Sequence, residues 1–338
     1  MNQILPNIPK LRDSFGRDIT YLRLSLTDRC DLRCFYCMAE HMVFLPRKDL
    51  LSLEELGNVA DAFIARGVRK IRLTGGEPLV RKDFLTLVEH LSEHLNAGHI
   101  DEITLTTNAT QLHRFAEPLK NLGVKRINIS LDSLDPLAFN RITRGGNLTR
   151  VLEGIDAGLA AGLKLKINTV VLKNDNANDI PDMVTWAHER GMDMTLIEVM
   201  PMGDTGEDRF DQFIPLSEIR DELEQKWALH DTAETTGGPA RYVNIAETGG
   251  RLGFISPLTK NFCAGCNRVR ITCTGKLFMC LGHGAHVDLR QALRVGGPEA
   301  LDTALDQAMI NKPEKHEFEI KKSGINSGTE RHMSVTGG

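Results

Sequence analysis

Short β-rich runs recur between longer amphipathic helical patterns through the first two thirds of the chain, and this alternation restricts the fold more than any other feature. The runs are Tyr21 to Ser25, Val68 to Leu73, Glu102 to Thr106, Arg126 to Leu131, Leu165 to Leu172 and Asp193 to Met200. Repeated β-α units of this kind wrap helices around a parallel sheet. Six units fit before about residue 215, too few for a closed eight-unit barrel. The expectation is therefore an α/β protein built on an incomplete (βα)6 TIM-like barrel.

The intervening helices carry start and stop signals. Ser52 and Glu55 form a capping box ahead of Leu56, Val59, Ala60 and Phe63, and Gly67 follows as a terminator. Other helices run through Phe84 to Leu95, Leu148 to Leu159 and Met183 to Trp186. Periodicity breaks at the Gly- and Asp-rich stretch Asp204 to Asp211, which divides the chain into residues 1–215 and 216–338. Beyond it the pattern predicts a helix from Ser217 to about Trp227 and strands at Tyr242 to Ala246 and Arg251 to Ile255.

With 41 basic and 45 acidic side chains, no global positive field recruits nucleic acid or an anionic membrane. Any anionic substrate must be held by a local cationic cluster. No apolar run reaches signal-peptide or membrane-spanning length, so the expected location is the cytoplasm.

Seven cysteines fall into two sets, with none between Cys37 and Cys263. An odd number without an export signal argues against a disulfide framework and for metal-binding or catalytic thiols. Cys30, Cys34 and Cys37 follow the first β run directly. Three thiolates from one loop can converge on three corners of a 4Fe-4S cube, leaving one iron open to a small-molecule ligand. Competing readings are three core cysteines at helical spacing, disfavoured by Asp28, Arg29, Asp31 and Arg33, and a zinc site, which lacks a local fourth ligand. In the second set Cys263 and Cys266 are separated by two residues, and Cys280 follows after thirteen more. Zinc, redox and iron-sulfur roles all remain open for this set alone, because Cys273 or His283 would complete a zinc site.

Polar residues gather at the predicted strand ends. Thr74-Gly75-Gly76-Glu77-Pro78 closes the second run, where its glycines permit close backbone approach to a ligand and Glu77 can stay ionised opposite an ammonium. Thr107 and Asn108 close the third run, and Ser130 and Asp132 the fourth. Cations two residues apart, at Lys70 and Arg72, Lys164 and Lys166, and Arg268 and Arg270, share a face when extended, and all but Lys164, read as a surface charge, suit phosphate.

The first cysteine set, with Tyr36 before its last member and the Gly-Gly-Glu-Pro loop downstream, resembles the signature of the radical S-adenosylmethionine superfamily. Taken with the stretch Asn261 to Thr272, which contains Cys263, Cys266, Arg268 and Arg270, nearly the whole chain resembles the bacterial GTP 3′,8-cyclases of molybdopterin synthesis. The resemblance implies a radical SAM partial barrel followed by a C-terminal iron-sulfur and GTP-binding region.

It also implies two 4Fe-4S clusters. One is held by Cys30, Cys34 and Cys37 and chelated at its open iron by S-adenosylmethionine; the other is held by Cys263, Cys266 and Cys280 and faces the guanine of GTP. Cys273 corresponds to no ligand. Implied cofactor contacts are Tyr36, Gly76, Glu77, Ser130 and Met200. Implied substrate contacts are Arg23, Arg72, Lys166, Arg268, Arg270 and Thr107, the last standing with Ser130 at strand ends that also face the cofactor. Lys70 and Asn108 are secondary candidates. The resemblance further implies that the terminal Gly337 and Gly338 enter the active site. Thr195 stands where relatives often carry an arginine that looks like a cofactor-carboxylate contact; the resemblance leaves open compensation by another cation such as Arg209 or weaker binding of the carboxylate.

The implied reaction transfers hydrogen from the 3′ carbon of GTP to a 5′-deoxyadenosyl radical. The ribose radical then attacks C-8 of the same purine, giving (8S)-3′,8-cyclo-7,8-dihydroguanosine 5′-triphosphate after reduction and protonation. No histidine is needed as a general base. The expected electron donor is a flavodoxin or ferredoxin, with functional coupling to cyclic pyranopterin monophosphate synthase, no nucleic acid or membrane partner, and a monomeric or homodimeric state. Rival readings are a peptide-modifying or sulfatase-maturing radical SAM enzyme and a zinc-stabilised interaction module.

Overall fold

The computed structural model describes residues 10–205, 209–318 and 331–337. All six β runs are strands: β1 Tyr21–Ser25, β2 Lys70–Thr74, β3 Glu102–Thr107, β4 Arg126–Ser130, β5 Lys164–Val171 and β6 Asp193–Glu198. They pair in parallel in chain order. Alternation along each strand sets the two faces apart. Leu22, Leu24, Ile71, Leu73, Ile103, Leu105, Ile127 and Ile129 are buried in the main core. The intervening positions Arg23, Arg72, Asn128 and Lys166 line a cavity on the opposite face.

Helices cover the apolar face. They are α1 Leu53–Ala65, α2 Leu85–Asn96, α3 Leu112–Asn121, α4 Pro136–Thr143, α5 Leu148–Ala160, α6 Ile180–Glu189 and α7 Leu216–Glu224. The Ser52 and Glu55 capping box forms as predicted, each side chain accepting from the other residue's backbone N–H. Burial of Leu56, Val59, Ala60 and Phe63 then fixes α1 against the sheet.

After β6 the chain extends the same sheet at both edges. On one side, β9 Arg251–Ile255 lies parallel to β6 and leads into the antiparallel strands β8 Arg241–Ile245 and β7 Leu229–Thr232. On the other, β10 Arg268–Ile271 lies parallel to β1 and carries β11 Lys276–Phe278 and β12 His286–Asp288. The resulting order is β12-β11-β10-β1-β2-β3-β4-β5-β6-β9-β8-β7. Its consequence for the site is direct: Arg268 and Arg270 fall in register with Tyr21 and Arg23.

The chain continues through α8 Leu289–Gln291 to α9 Gly297–Ile310, which is tied to Arg66 at the end of α1 by Asp302, 3.3 Å away, and by Asp306. A last turn, α10 Met333–Thr336, comes back to β1. Among the described residues, no helix is long and apolar enough to cross a membrane.

Candidate active site

The first cavity opens at the carboxyl ends of β1 to β6. The loop leaving β1 is clamped by the loop after β2: Gly76 N–H donates to Thr27 O at 2.7 Å and Glu77 N–H to Arg29 O at 2.8 Å. A Cβ on Gly75 would lie 2.5 Å from Thr27 O, and one on Gly76 2.3 Å from Arg29 O. The absent side chains of these glycines let the loop pack directly on the chain's own run into Cys30, while both residues also line the cavity.

Glu77 is likewise occupied. Its carboxylate accepts from Leu79 N–H at 3.0 Å, Thr107 Oγ1 at 2.7 Å and Asn108 N–H at 2.7 Å. Burial pushes this carboxyl up to about 7 against the pull of those donors. Glu77 thus fastens the β2 and β3 loops together, while Asn108 Nδ2 donates to Asp31 Oδ1 at 2.7 Å.

Cys30, Cys34, Cys37, Tyr36, Gly76, Glu77, Thr107, Asn108, Ser130 and Met200 all line this cavity. Tyr36 donates to Asp132 Oδ2 at 2.6 Å, and Asp132 Oδ1 accepts from Val170 N–H at 2.9 Å. Burial pushes the Asp132 carboxyl up to about 6. The same cause raises all three thiols, reinforced by Glu77 at Cys30 and by Asp132 at Cys34 and Cys37. Such thiols ionise only beside strong positive charge, which bound iron supplies.

The spread of the sulfurs bears on which metal fits. Among the described residues, the group of three His, Cys, Asp or Glu with ligand atoms within 4.8 Å of one another is Asp61, His90 and His94, not either cysteine triplet. Tetrahedral zinc at ordinary Zn–S lengths needs sulfurs about 3.8 Å apart. At least one sulfur pair in each triplet exceeds 4.8 Å, so neither is arranged around a single tetrahedral zinc.

The second cavity is lined by Cys263, Cys266 and Cys280 and by Arg23, Arg72, Lys166, Arg268 and Arg270. Among the described residues no carboxylate lines it, although the Nε atoms of Arg268 and Arg270 and the Oδ1 atoms of Asn128 and Asn168 are buried without hydrogen-bond partners. Arg72 is held by Tyr21 Oη and by Thr106 Oγ1 at 3.1 Å; Lys166 Nζ donates to Tyr242 Oη at 3.1 Å.

Crowded like charge and burial show in the ionisation. Burial first, then Arg72 and Arg126, bring Lys166 down to about 7. Burial and Arg268 bring Arg270 down to about 10. Tyr21 is lowered too, but against its burial: burial raises it, and Arg72, Arg23 and Lys70 prevail and bring it down to about 7. Cys266 is also lowered, because Lys312 and Arg268 outweigh its burial. Such a desolvated cationic wall is chemically suited to an anion.

Asn168, Ile197 and Met200 line both cavities, so the two meet there. The C-terminal segment joins them as well. Arg331 stacks on Phe278 with its guanidinium 3.7 Å from the ring centroid and donates to Leu281 O at 2.7 Å, beside Cys280. Ser334 N–H then bonds the Cys37 sulfur, and a Cβ on Gly337 would lie 2.2 Å from the Thr74 side chain. Gly338 lies outside the described residues.

Two expected positions fall elsewhere. Lys70 lines neither cavity, being held by Glu102 at 2.6 Å and Thr236 O at 2.9 Å. Thr195 is buried within β6 and lines neither cavity, its Oγ1 without a hydrogen-bond partner and facing Gly253 of β9. Arg209 donates instead to the carbonyls of Met200, Met202 and Gly203. Cys273 is fully buried and lines neither cavity.

Sequence reasoning passed over Tyr21, Asn128, Asn168, Tyr242 and Lys312. The two-residue alternation that exposed Lys166 and Arg72 also points to Asn168, Tyr21 and Asn128, whereas Tyr242 and Lys312 arrive only through tertiary packing.

Comparison with known proteins adds independent evidence. Residues 24–187 match the family model for the radical SAM superfamily, and residues 192–318 match the one described as Molybdenum Cofactor Synthesis C. The chain is 60% identical over 327 residues to a GTP 3′,8-cyclase of Rhizobium meliloti strain 1021, covering 96% of this chain and 94% of the relative. It is 57% identical over 336 residues to a GTP 3′,8-cyclase of Brucella suis biovar 1 strain 1330, covering 99% and 97%. Among solved structures, Streptococcus suis SuiB bound to S-adenosylmethionine matches with a TM-score of 0.54 at 18% identity, covering 80% of this chain and 63% of that one. That likeness concerns the fold.

Proposed function

The chain belongs to the GTP 3′,8-cyclases of the radical S-adenosylmethionine superfamily, and on that premise we propose how its two cavities divide the work. The reaction is cyclisation of GTP to (8S)-3′,8-cyclo-7,8-dihydroguanosine 5′-triphosphate, the first stage of molybdenum cofactor biosynthesis. The first cavity takes the cofactor and the second takes GTP. Cys30, Cys34 and Cys37 would hold a 4Fe-4S cluster that, with S-adenosylmethionine, would supply the radical chemistry, and Cys263, Cys266 and Cys280 would hold a second cluster on the guanine side of GTP.

The protein's own residues supply placement. Arg23, Arg268 and Arg270 neutralise the triphosphate, with Arg72 and Lys166 beside them, each aimed by a tyrosine hydroxyl. Anchoring the phosphates on this wall sets the ribose toward Asn168, Ile197 and Met200, where the cavities meet. Phosphate binding is thereby spent on orienting the reacting carbon, which is how remote contacts raise turnover. Tyr36, Ser130 and Met200 contact the cofactor, with Gly76, Glu77, Thr107 and Asn108 shaping its pocket. The tail through Gly337 closes the junction against water.

The observation that carries this reading is the opposite charge of the adjoining walls. Among the described residues, the cofactor cavity is lined by Glu77, Asp132 and Glu198 and by no lysine or arginine, whereas the substrate cavity has five lysines and arginines and no carboxylate. A sulfonium-bearing cofactor and a nucleoside triphosphate are sorted by that difference. We further place the enzyme in the cytoplasm, reduced by a flavodoxin- or ferredoxin-type donor and handing its product to cyclic pyranopterin monophosphate synthase; its free thiols support a reducing compartment.

Anaerobic incubation of the reconstituted enzyme with reductant, S-adenosylmethionine and GTP tests the assignment. The expected result is 5′-deoxyadenosine whose formation depends on GTP, together with the cyclised nucleotide by mass and NMR. Cofactor cleavage indifferent to GTP across a wide concentration range would overturn the substrate assignment.

A further inference from the structure

On the outer surface, away from both cavities, α1 and α2 bring three metal-ligating side chains together. His90 and His94 stand four residues apart on one face of α2, and Asp61 faces them from α1. Both imidazoles aim Nε2 at the same oxygen: His90 Nε2 is 2.7 Å and His94 Nε2 3.0 Å from Asp61 Oδ1. All three ligand atoms lie within 4.8 Å of one another.

Two surrounding features shape the cluster further. His94 Nδ1 lies 3.0 Å from His99 Nδ1, so one of these two nitrogens carries the shared proton. When His94 Nδ1 carries it, His94 Nε2 is a bare lone pair facing Asp61, the tautomer that a metal requires. On α1, Gly57 stands one turn before Asp61, and a Cβ there would come within 3.3 Å of the His90 ring. Glycine is unfavourable inside a helix, and here its absent side chain leaves room for the imidazole to lie across α1.

We propose that Asp61, His90 and His94 form a binding site for a divalent transition cation of the zinc type, with water as the fourth ligand. Two imidazoles and a carboxylate are a donor set suited to zinc and to its neighbours in the series, and poor for magnesium or calcium. Ligand atoms around tetrahedral zinc stand about 3.3 Å apart. The present contacts need only part by a few tenths of an ångström, within the reach of side-chain rotation. The ion ties α1 to α2, which pack together, and it is distinct from the iron assigned to the cysteines.

The test uses untagged enzyme with both clusters reconstituted, titrated anaerobically with zinc alone. One equivalent is expected to bind saturably at micromolar concentration, raising the unfolding temperature by about 3 °C or more. Zinc-edge X-ray absorption should show nitrogen and oxygen neighbours without sulfur. His90→Gln and His94→Gln should each weaken binding at least tenfold, with iron content and zinc-free unfolding temperature unchanged to show an intact fold. Absence of saturable binding, sulfur in the zinc shell, or affinity unmoved by both substitutions would each refute the site.

Discussion

The two cavities hold the same number of cysteines and share three lining residues, yet their walls carry opposite charge. In the first, carboxylates and burial push every thiol up. In the second, Lys312 and Arg268 pull Cys266 down, and burial with neighbouring arginines lowers Lys166 and Arg270. A three-cysteine set therefore does not define a site by itself; the charge around it selects the small molecule that shares the pocket. The difference also has a topological origin. The first wall is built from loops at strand ends, whereas the second comes from the strands' inward face, completed by β10 laid beside β1.

The largest effect that separates the cavities comes from the cysteines. Replacing Cys263, Cys266 and Cys280 together by alanine should halve iron from about eight to about four per chain. It should abolish the cyclised nucleotide yet leave measurable reductive cleavage of S-adenosylmethionine. The matching Cys30, Cys34 and Cys37 variant should lose cleavage entirely. Iron analysis and 5′-deoxyadenosine assays decide it, and equal loss of cleavage in both variants would break the division.

Next comes Arg270→Ala, which removes a buried cation from the phosphate wall. A desolvated charge contact of this type is worth about 2.7 kcal/mol, so kcat/KM for GTP should fall about 100-fold with the affinity for S-adenosylmethionine unchanged. A parallel loss of cofactor affinity would mean that the walls are not independent. Gly337→Ala probes the junction. Gly337 has a φ of 71° and a new Cβ would lie 2.2 Å from Thr74, so the tail must withdraw. Left-handed strain and overlap together amount to about 2 kcal/mol, or about 30-fold in product formation, with iron content intact.

Much of this arrangement was legible in the sequence because local rules act over short spans. Strand alternation exposed Arg72, Lys166, Arg268 and Arg270, and the Ser52 capping box located α1. Other features had no local signal. Pro118 sits inside α3 and obscured that helix, and the pairing of β10 with β1 joins residues nearly 250 positions apart. Gly76 shows the limit in a single residue: the motif marked a close approach, but only the folded chain reveals that its neighbour is Arg29 O. Lys70 fails for a similar reason, since its charge is spent on Glu102 from the adjacent strand.

The smallest expected effect is a pH dependence confined to the cationic cavity. Without GTP, Lys166 and Tyr21 both titrate near 7, so raising pH through that value removes a positive charge from one and adds a negative charge to the other. Both changes oppose a triphosphate, and KM for GTP should rise about tenfold between pH 6.5 and 8. Bound triphosphate draws the Lys166 pKa back up, so kcat at saturating GTP should change less than KM. Stability should move in the opposite direction. Each group's folded pKa lies below its unfolded value, so the unfolded chain binds more protons above pH 7, and the GTP-free enzyme gains stability from these groups as pH rises toward 9. The gap in unfolding temperature between GTP-bound and GTP-free enzyme should accordingly narrow. Lys166→Met should raise KM at low pH and flatten the profile, with Tyr21→Phe removing the remaining slope. A KM profile equally steep in the double variant would place the titration outside this cavity.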